Sequence, residues 1–331
     1  VSSCSTVPTF CRHNRLLQHC PICTREQHVE LEPVISSSAP RTGAPRQKTR
    51  APTKAGGVGS RERSDLRVHR LKRGADDGYR SPLAIGLRSS VEAERLAQEL
   101  AFAATRVRAL TERPPGLYAE VASGNDVEER TWLAFLIAYL SPVEGEDPFA
   151  SVRAVRTSWA TDELPNLENV ETGPRSAHDP TRPRRTVEAY TNWVRRAGTQ
   201  AAAFTGDPSW TPERRFARVF ERLALPGLHR DARFDLLVTL GSTGVFELRP
   251  GELMLGGTDR ATVAAKRIFG IGDRLVLEGR AATLAAACQL PLAALDLGLY
   301  NWERSDRVSL GLTDTEPDPE ILGRTRSAFE L

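Results

Sequence analysis

The sequence predicts a mainly α-helical domain preceded by a small Cys/His module and a basic linker. Three observations carry this expectation. Beyond residue 80 apolar residues recur at helical spacing through most of the chain. Four of the five cysteines, Cys4, Cys11, Cys20 and Cys23, fall within the first 23 residues. Between these regions runs a stretch rich in Ser, Pro, Gly and Arg with no sustained apolar period, the composition of a linker. The expected organisation is a metal-binding module over 1–33, a basic linker over 34–79, the helical domain over 80–315 and a tail over 316–331.

A chain of 331 residues that is 40% hydrophobic can bury a substantial core. Its longest strongly apolar run, Trp132 to Leu140, falls well short of the roughly 20 residues that cross a bilayer, so no membrane contact is expected. The first residues, Val-Ser-Ser-Cys, lead into a polar Cys/His segment without the apolar stretch of a secretory signal, which predicts a cytoplasmic location. The net charge of +3 is unevenly spread: residues 41–73 carry eleven Lys/Arg against Glu62 and Asp65, and the chain from Gly74 onward sums to −6. Affinity for nucleic acid therefore has to come from the basic segment or from local patches rather than from the whole surface.

Element by element, Leu66–Leu71 alternates briefly like a strand. Ser90 opens a long helix with acidic residues in its first turn, ending near Pro114. Val127–Leu140 is acidic at its start and apolar on nearly every side thereafter, the mark of a buried helix. Residues 160–185 read as a long polar loop, after which a helical pattern runs from Val187 to Thr205. Thr211-Pro212 is an N-cap followed by a first-turn proline, predicting a helix over Glu213–Leu223. Further helices are expected over Asp231–Leu240, Ala261–Ile268, Arg274–Cys288 and Leu292–Trp302, with a short strand signal at Val245–Leu248 and a frayed end over the last fifteen residues.

Clustered cysteines in a reducing compartment point to metal rather than disulfides. Cys11-Arg-His13 stands seven residues before the turn Cys20-Pro-Ile-Cys23, and two such pairs can complete a tetrahedral zinc site. The expected ligands are Cys11, His13, Cys20 and Cys23, with Cys4 or His19 as substitutes for His13, and an iron–sulfur cluster on the four cysteines as the alternative. Four protein ligands leave no open position for a substrate water, so the zinc is expected to be structural.

The segment richest in functional signal is Lys266-Arg267-Ile-Phe-Gly270-Ile271-Gly272-Asp273-Arg274. Two helices joined by Gly-Ile-Gly have the makings of a hairpin that grips a phosphate: glycines allow a left-handed backbone and close approach, Ile271 is expected to pin the turn to the core, and the second helix offers its N-terminal amides. Lys266, Arg267, Gly270, Ile271, Gly272 and Arg274 are thus the candidate DNA contacts, of a kind that holds backbone without reading sequence. Leu225-Pro-Gly-Leu-His229 is a competing turn lacking the second glycine, and is expected to be a packing turn with Arg233 and Asp235 paired in the fold.

With these residues in place, the chain resembles the helix-hairpin-helix DNA glycosylases, whose hairpin reads Leu-Pro-Gly-hydrophobic-Gly and is followed, some twenty-odd residues on, by a catalytic aspartate. Here Ile268-Phe-Gly-Ile-Gly272 occupies the hairpin, with Phe269 in place of the proline, and Asp296 lies at the matching distance. The Schiff-base lysine position of bifunctional members holds Arg274, which cannot act as a neutral amine. The N-terminal Cys/His segment, Trp132-Leu-Ala-Phe-Leu-Ile, the run from Leu225 to Leu237 and Lys266–Asp273 together resemble the bacterial branch of the α-glutamyl/putrescinyl thymine pyrophosphorylase family, a glycosylase-derived group associated with hypermodified thymine in phage DNA. The resemblance implies a base flipped into a pocket near the hairpin, with Asp296 catalytic, by stabilising charge on the sugar, activating water or deprotonating an incoming group, and Tyr190, Trp193 and Trp302 as stacking candidates. It further implies DNA, phage or modified DNA included, as the partner. The competing expectation is a noncatalytic DNA-binding module using the hairpin, the zinc unit and the linker for attachment alone.

Overall fold

The computed structural model describes residues 74–161, 163–312 and 316–331. The chain divides into two units, Val1–Leu66 and Arg67–Leu331, and every described residue belongs to the second. The expected metal ligands Cys11, His13, Cys20 and Cys23, most of the basic linker and the strand signal at 66–71 lie outside the described residues.

Helices account for nearly all of the regular structure, and no β-strand occurs among the described residues. The Val245–Leu248 segment, expected to be a strand, runs extended after a helix but pairs with nothing in a ladder. In chain order the helices are α1 (Ser90–Glu112), α2 (Leu117–Ser123), α3 (Val127–Leu140), α4 (Ala150–Val155), a 3-10 turn (Trp159–Thr161), α5 (Arg185–Ala197), α6 (Gln200–Thr205), α7 (Pro212–Arg222), α8 (Arg230–Ser242), α9 (Arg260–Phe269), α10 (Arg274–Ala287), α11 (Leu292–Trp302) and α12 (Pro319–Phe329).

Local chemistry explains most of these limits. The Asp126 carboxylate accepts from the Glu128 amide at 2.8 Å and starts α3, and the Thr211 hydroxyl accepts from Arg214 N at 3.2 Å ahead of Pro212 to start α7. The helical pattern from Val187 to Thr205 is broken into α5 and α6 at Gly198. From Thr131 to Leu140 every residue of α3 is buried, in keeping with its all-round apolar sequence. It packs on α8, while α1 packs along α11 and α12.

Tyr190 is fully buried, its ring 3.8 Å from that of Phe135 and its hydroxyl donating to Gln200 Oε1 at 2.6 Å. Its faces therefore belong to the aromatic core rather than to a ligand. Trp193, half-buried, sits edge-on to Phe204 in the same core. The last fifteen residues, expected to be frayed, instead form α12. Asp318 caps it by accepting from Glu320 N and Ile321 N, and Ile321 and Phe329 are buried. That anchoring depends on a partner helix, α1, far away in sequence. Cys288 is buried and its thiol is pushed up to about 11 by burial, the behaviour of an inert core residue. No single helix among the described residues is long and apolar enough to cross a membrane.

Candidate functional site

Helices α8 and α9 both begin at the rim of a cleft of about 450 Å³. Its walls come from the polar loop before α5, through Arg175, from the first turns of α8 and α9, through Arg230, Asp231 and Asp259, and from α11, through Tyr300. Helix N-termini present unsatisfied amides and partial positive charge, so two of them converging on one cavity favour an anionic occupant. At α8 the N-cap residue, His229, makes no side-chain cap. At α9 Asp259 takes the capping role, accepting from Thr262 N at 2.9 Å.

Asp296 forms the floor. It sits in the first turns of α11, 1% exposed, and both carboxylate oxygens are held by guanidinium groups. Arg175 Nη2 donates to Oδ2 at 2.6 Å, and Arg230 Nη1 donates to Oδ1. Burial alone would raise this carboxyl, but the Arg230 and Arg175 charges outweigh it and hold Asp296 below the ordinary carboxylate range. Asp296 is thus an ionised anchor for two arginines, with both oxygens engaged.

Arg175 also grips Asp235, through Nε at 2.7 Å and Nη2 at 3.0 Å, and its guanidinium lies 4.5 Å from the Tyr300 ring centroid. Tyr300 is held in turn by its hydroxyl, which donates to Pro174 O at 2.9 Å. Although the Arg175 side chain is fully buried, its Nη1 has no hydrogen-bond partner among the described residues. A buried, unpaired guanidinium nitrogen on the wall of a cleft calls for an oxygen from an occupant. Burial opposes the Arg175 charge, yet the Asp235 and Asp296 carboxylates secure it above its ordinary value.

Arg230 is fixed from the other side. Its Nη2 donates to Leu253 O, Nε to Met254 O at 3.4 Å, and Nη1 reaches Asp231 Oδ1 at 3.2 Å as well as Asp296. The loop that offers those carbonyls is clamped by Glu278 of α10, whose carboxylate accepts from Leu253 N at 2.7 Å and Leu255 N at 2.6 Å. Met254 between them has φ of +57°, an uncommon backbone state for a side-chain-bearing residue. The second helix of the glycine turn therefore reaches the floor of the cleft through a short relay of Glu278, the 253–255 loop and Arg230.

The turn itself differs in part from expectation. Gly270 adopts the left-handed state, φ of +65°, and ends α9. Gly272 has no positive φ and nothing within 4 Å of where a Cβ would stand, so it faces open space. Asp273 caps α10, accepting from Val276 N at 3.1 Å. Ile271 does not pin the turn to the core: it is 36% exposed, and Leu275 and Val276 beside it are exposed too. The turn is held instead from below, where Gly86 N donates to Ile268 O at 2.8 Å.

Among the candidate cations, Arg267 pairs with Glu303 and stacks 4.8 Å from the Trp302 ring, Lys266 Nζ donates to Gly257 O at 3.4 Å, and Arg274 is exposed, 4.0 Å from Glu252. Arg88, Lys266, Arg267, Gly270 and Trp302 line a second cleft, of about 540 Å³, at the C-terminal end of α9. The Arg233–Asp235 pair expected from sequence does not form, because Arg233 turns to Phe220, donating to its carbonyl at 3.2 Å and stacking 4.3 Å from its ring, while Asp235 is taken by Arg175.

Sequence reasoning found Asp296 but missed Arg175, Arg230, Asp231 and Glu278. One signal was available: Asp231 and Asp235 fall four residues apart, hence on one face, in a helix that is otherwise largely apolar. No protein-family model, curated protein or solved structure matches this chain.

Proposed function

We propose that the protein is an enzyme acting on a base in DNA, a hypermodified pyrimidine turned out of the duplex, with the Arg175–Arg230–Asp296 cleft receiving the base or an anionic substituent on it. The observation that carries this reading is the unpaired, buried Nη1 of Arg175 on the wall of a 450 Å³ cleft into which two helix N-termini open. Such a cavity has the size and polarity for a single nucleobase-scale ligand. The glycine turn stands at the far end of α9, a helix of ten residues and so about 15 Å long, from the cleft at its start. Gly272, open to solvent, leaves room for a phosphate to approach the backbone there.

Between glycosidic cleavage and group transfer, the geometry favours transfer. Cleavage by the resembled glycosylases asks a carboxylate to face the sugar, whereas Asp296 engages both its oxygens with guanidiniums beneath the cleft. Arginines and helix amides facing a cavity are suited to a phosphoryl or carboxyl group that arrives or departs. The full chain is incubated with duplex and single-stranded DNAs carrying 5-substituted, anionic pyrimidines, and base release and mass change are followed. A mass change at the base supports transfer, release of the base supports cleavage, and retention without either outcome supports the noncatalytic DNA-binding module.

A further inference from the structure

Two carboxyl groups in the cleft share a single nitrogen. Arg230 Nη1 donates to Asp296 Oδ1 and to Asp231 Oδ1, the latter at 3.2 Å. Their surroundings differ. Asp296 is 1% exposed and fully engaged on the floor, whereas the Asp231 side chain is 16% exposed, lines the cavity and leans on Arg230 from one side. Where two acids share one site, the first to ionise makes the second harder to ionise, and the pair divides into an anion and a proton carrier.

The charges around Asp231 decide which acid takes which role. From its own helix it faces Arg230 and Asp235, from the loop before α5 it faces Arg175, from α11 Asp296, and from α9 Asp259; His229 and Arg260 stand exposed at the lip. Two buried arginines thus meet four aspartates. Burial is the largest influence on Asp231 and pushes it up; Arg175 and Arg230 oppose this, and the Asp296 and Asp235 carboxylates add to it, leaving Asp231 raised while Asp296 is lowered. Its place in the first turn of α8 favours the ionised form, so the group is poised to exchange a proton rather than locked in either state.

We propose that Asp231, not Asp296, is the acid–base group of this cleft: as a carboxylic acid it donates its O–H to an oxyanion seated on Arg175, and as a carboxylate it takes that proton back. This assignment rests on the reading of the cleft as the reaction site, but it concerns proton exchange with any oxyanion and does not require DNA. Its immediate consequence is proton-coupled anion binding, since an anion arriving beside Asp231 raises the proton affinity of that group further.

Sulfate is the probe, because it stays dianionic across the range studied and any proton taken up belongs to the protein. Calorimetric titration of the full chain with sulfate, in buffers of different ionisation enthalpy between pH 5 and 8, should show uptake of a proton and binding that tightens by up to tenfold per pH unit as the pH falls. Asp231→Asn should bind sulfate without uptake and with a flattened pH dependence, and Asp231→Glu should restore both. His229→Gln should leave the uptake in place, which separates the carboxyl from the imidazole at the lip. Circular dichroism confirms that each variant is folded. Sulfate that fails to bind the parent protein, binding without proton uptake, or uptake that survives in Asp231→Asn overturns the proposal. Failure of the DNA assays with proton-linked sulfate binding intact would instead sink the base-acting reading alone.

Discussion

Replacing Asp296 by Asn tests the electrostatic account of the cleft most directly. The substitution keeps the shape of the side chain but removes the charge that faces Arg175 and Arg230, both of them buried. Removing one partner of a buried ion pair costs about 3–5 kcal/mol, because the opposite charge is left uncompensated. Arg175 keeps Asp235 and Arg230 keeps Asp231 and the Leu253 carbonyl, so the destabilisation should lie at the lower end, about 3 kcal/mol. In a domain of this size that corresponds to a fall in Tm of about 6–12 °C. Thermal unfolding followed by circular dichroism at several pH values is the assay. Because the folded state holds Asp296 below the ordinary carboxylate range, its contribution is complete at neutral pH and is lost only as the pH falls below about 4 and through the folded value. The difference between parent and variant should therefore be full at pH 7 and shrink in acid. Asp231→Asn is the control of opposite sign. The folded state binds that proton more tightly than the unfolded chain does, so ionisation works against the fold at neutral pH and the Asn variant should be the more stable there. A Tm at pH 7 unchanged by Asp296→Asn, or a deficit that persists undiminished at low pH, would refute the argument that this carboxylate anchors the two arginines.

Glu278→Gln removes one of the two oxygens that accept from Leu253 N and Leu255 N; urea unfolding should register a destabilisation of about 1–3 kcal/mol, with faster hydrogen exchange at those two amides. Gly86→Ala places a Cβ 1.9 Å from Arg267 O beneath the glycine turn, and should destabilise by about 1–3 kcal/mol or more in the same measurement. Deleting residues 41–73, with their eleven cations, should flatten the dependence of DNA affinity on salt by about 0.9 in logarithmic slope for each phosphate that those cations no longer neutralise; an unchanged slope would assign the segment a spacer role. For the N-terminal Cys/His segment we propose zinc on Cys11, His13, Cys20 and Cys23, so elemental analysis of the full chain should find about one zinc ion per chain, absent from Cys20→Ser; iron with acid-labile sulfide would favour the cluster instead.

Much of the secondary structure was legible because its signals are local. Val127–Leu140 and Leu292–Trp302 coincide with α3 and α11, and the cap at Thr211 and the breaks around Gly270 mark where helices begin and end. The misreadings share one cause, since each concerns a segment whose state depends on a distant partner. The C-terminal residues form a helix because α1 offers a surface for Ile321 and Phe329, and the Val245–Leu248 segment has no neighbouring strand to pair with. Ile271 reads as a core residue by chemistry, but the segment around Gly86 supports the turn from below and leaves that side chain outside.

By itself, then, the sequence determined a helical protein, its main helix limits, its charge asymmetry and the position of one suspicious carboxyl, all of which follow from residue spacing over a few turns. Only the tertiary structure decided what that carboxyl does. Asp296 meets Arg175 across 121 residues and Arg230 across 66, and Arg175 comes from a loop whose composition promises only solvent exposure. Helix periodicity and caps are written within a few neighbouring residues, whereas the balance between desolvation and opposite charge depends on which remote groups share a low-dielectric space, and that is known only once the chain has closed around them.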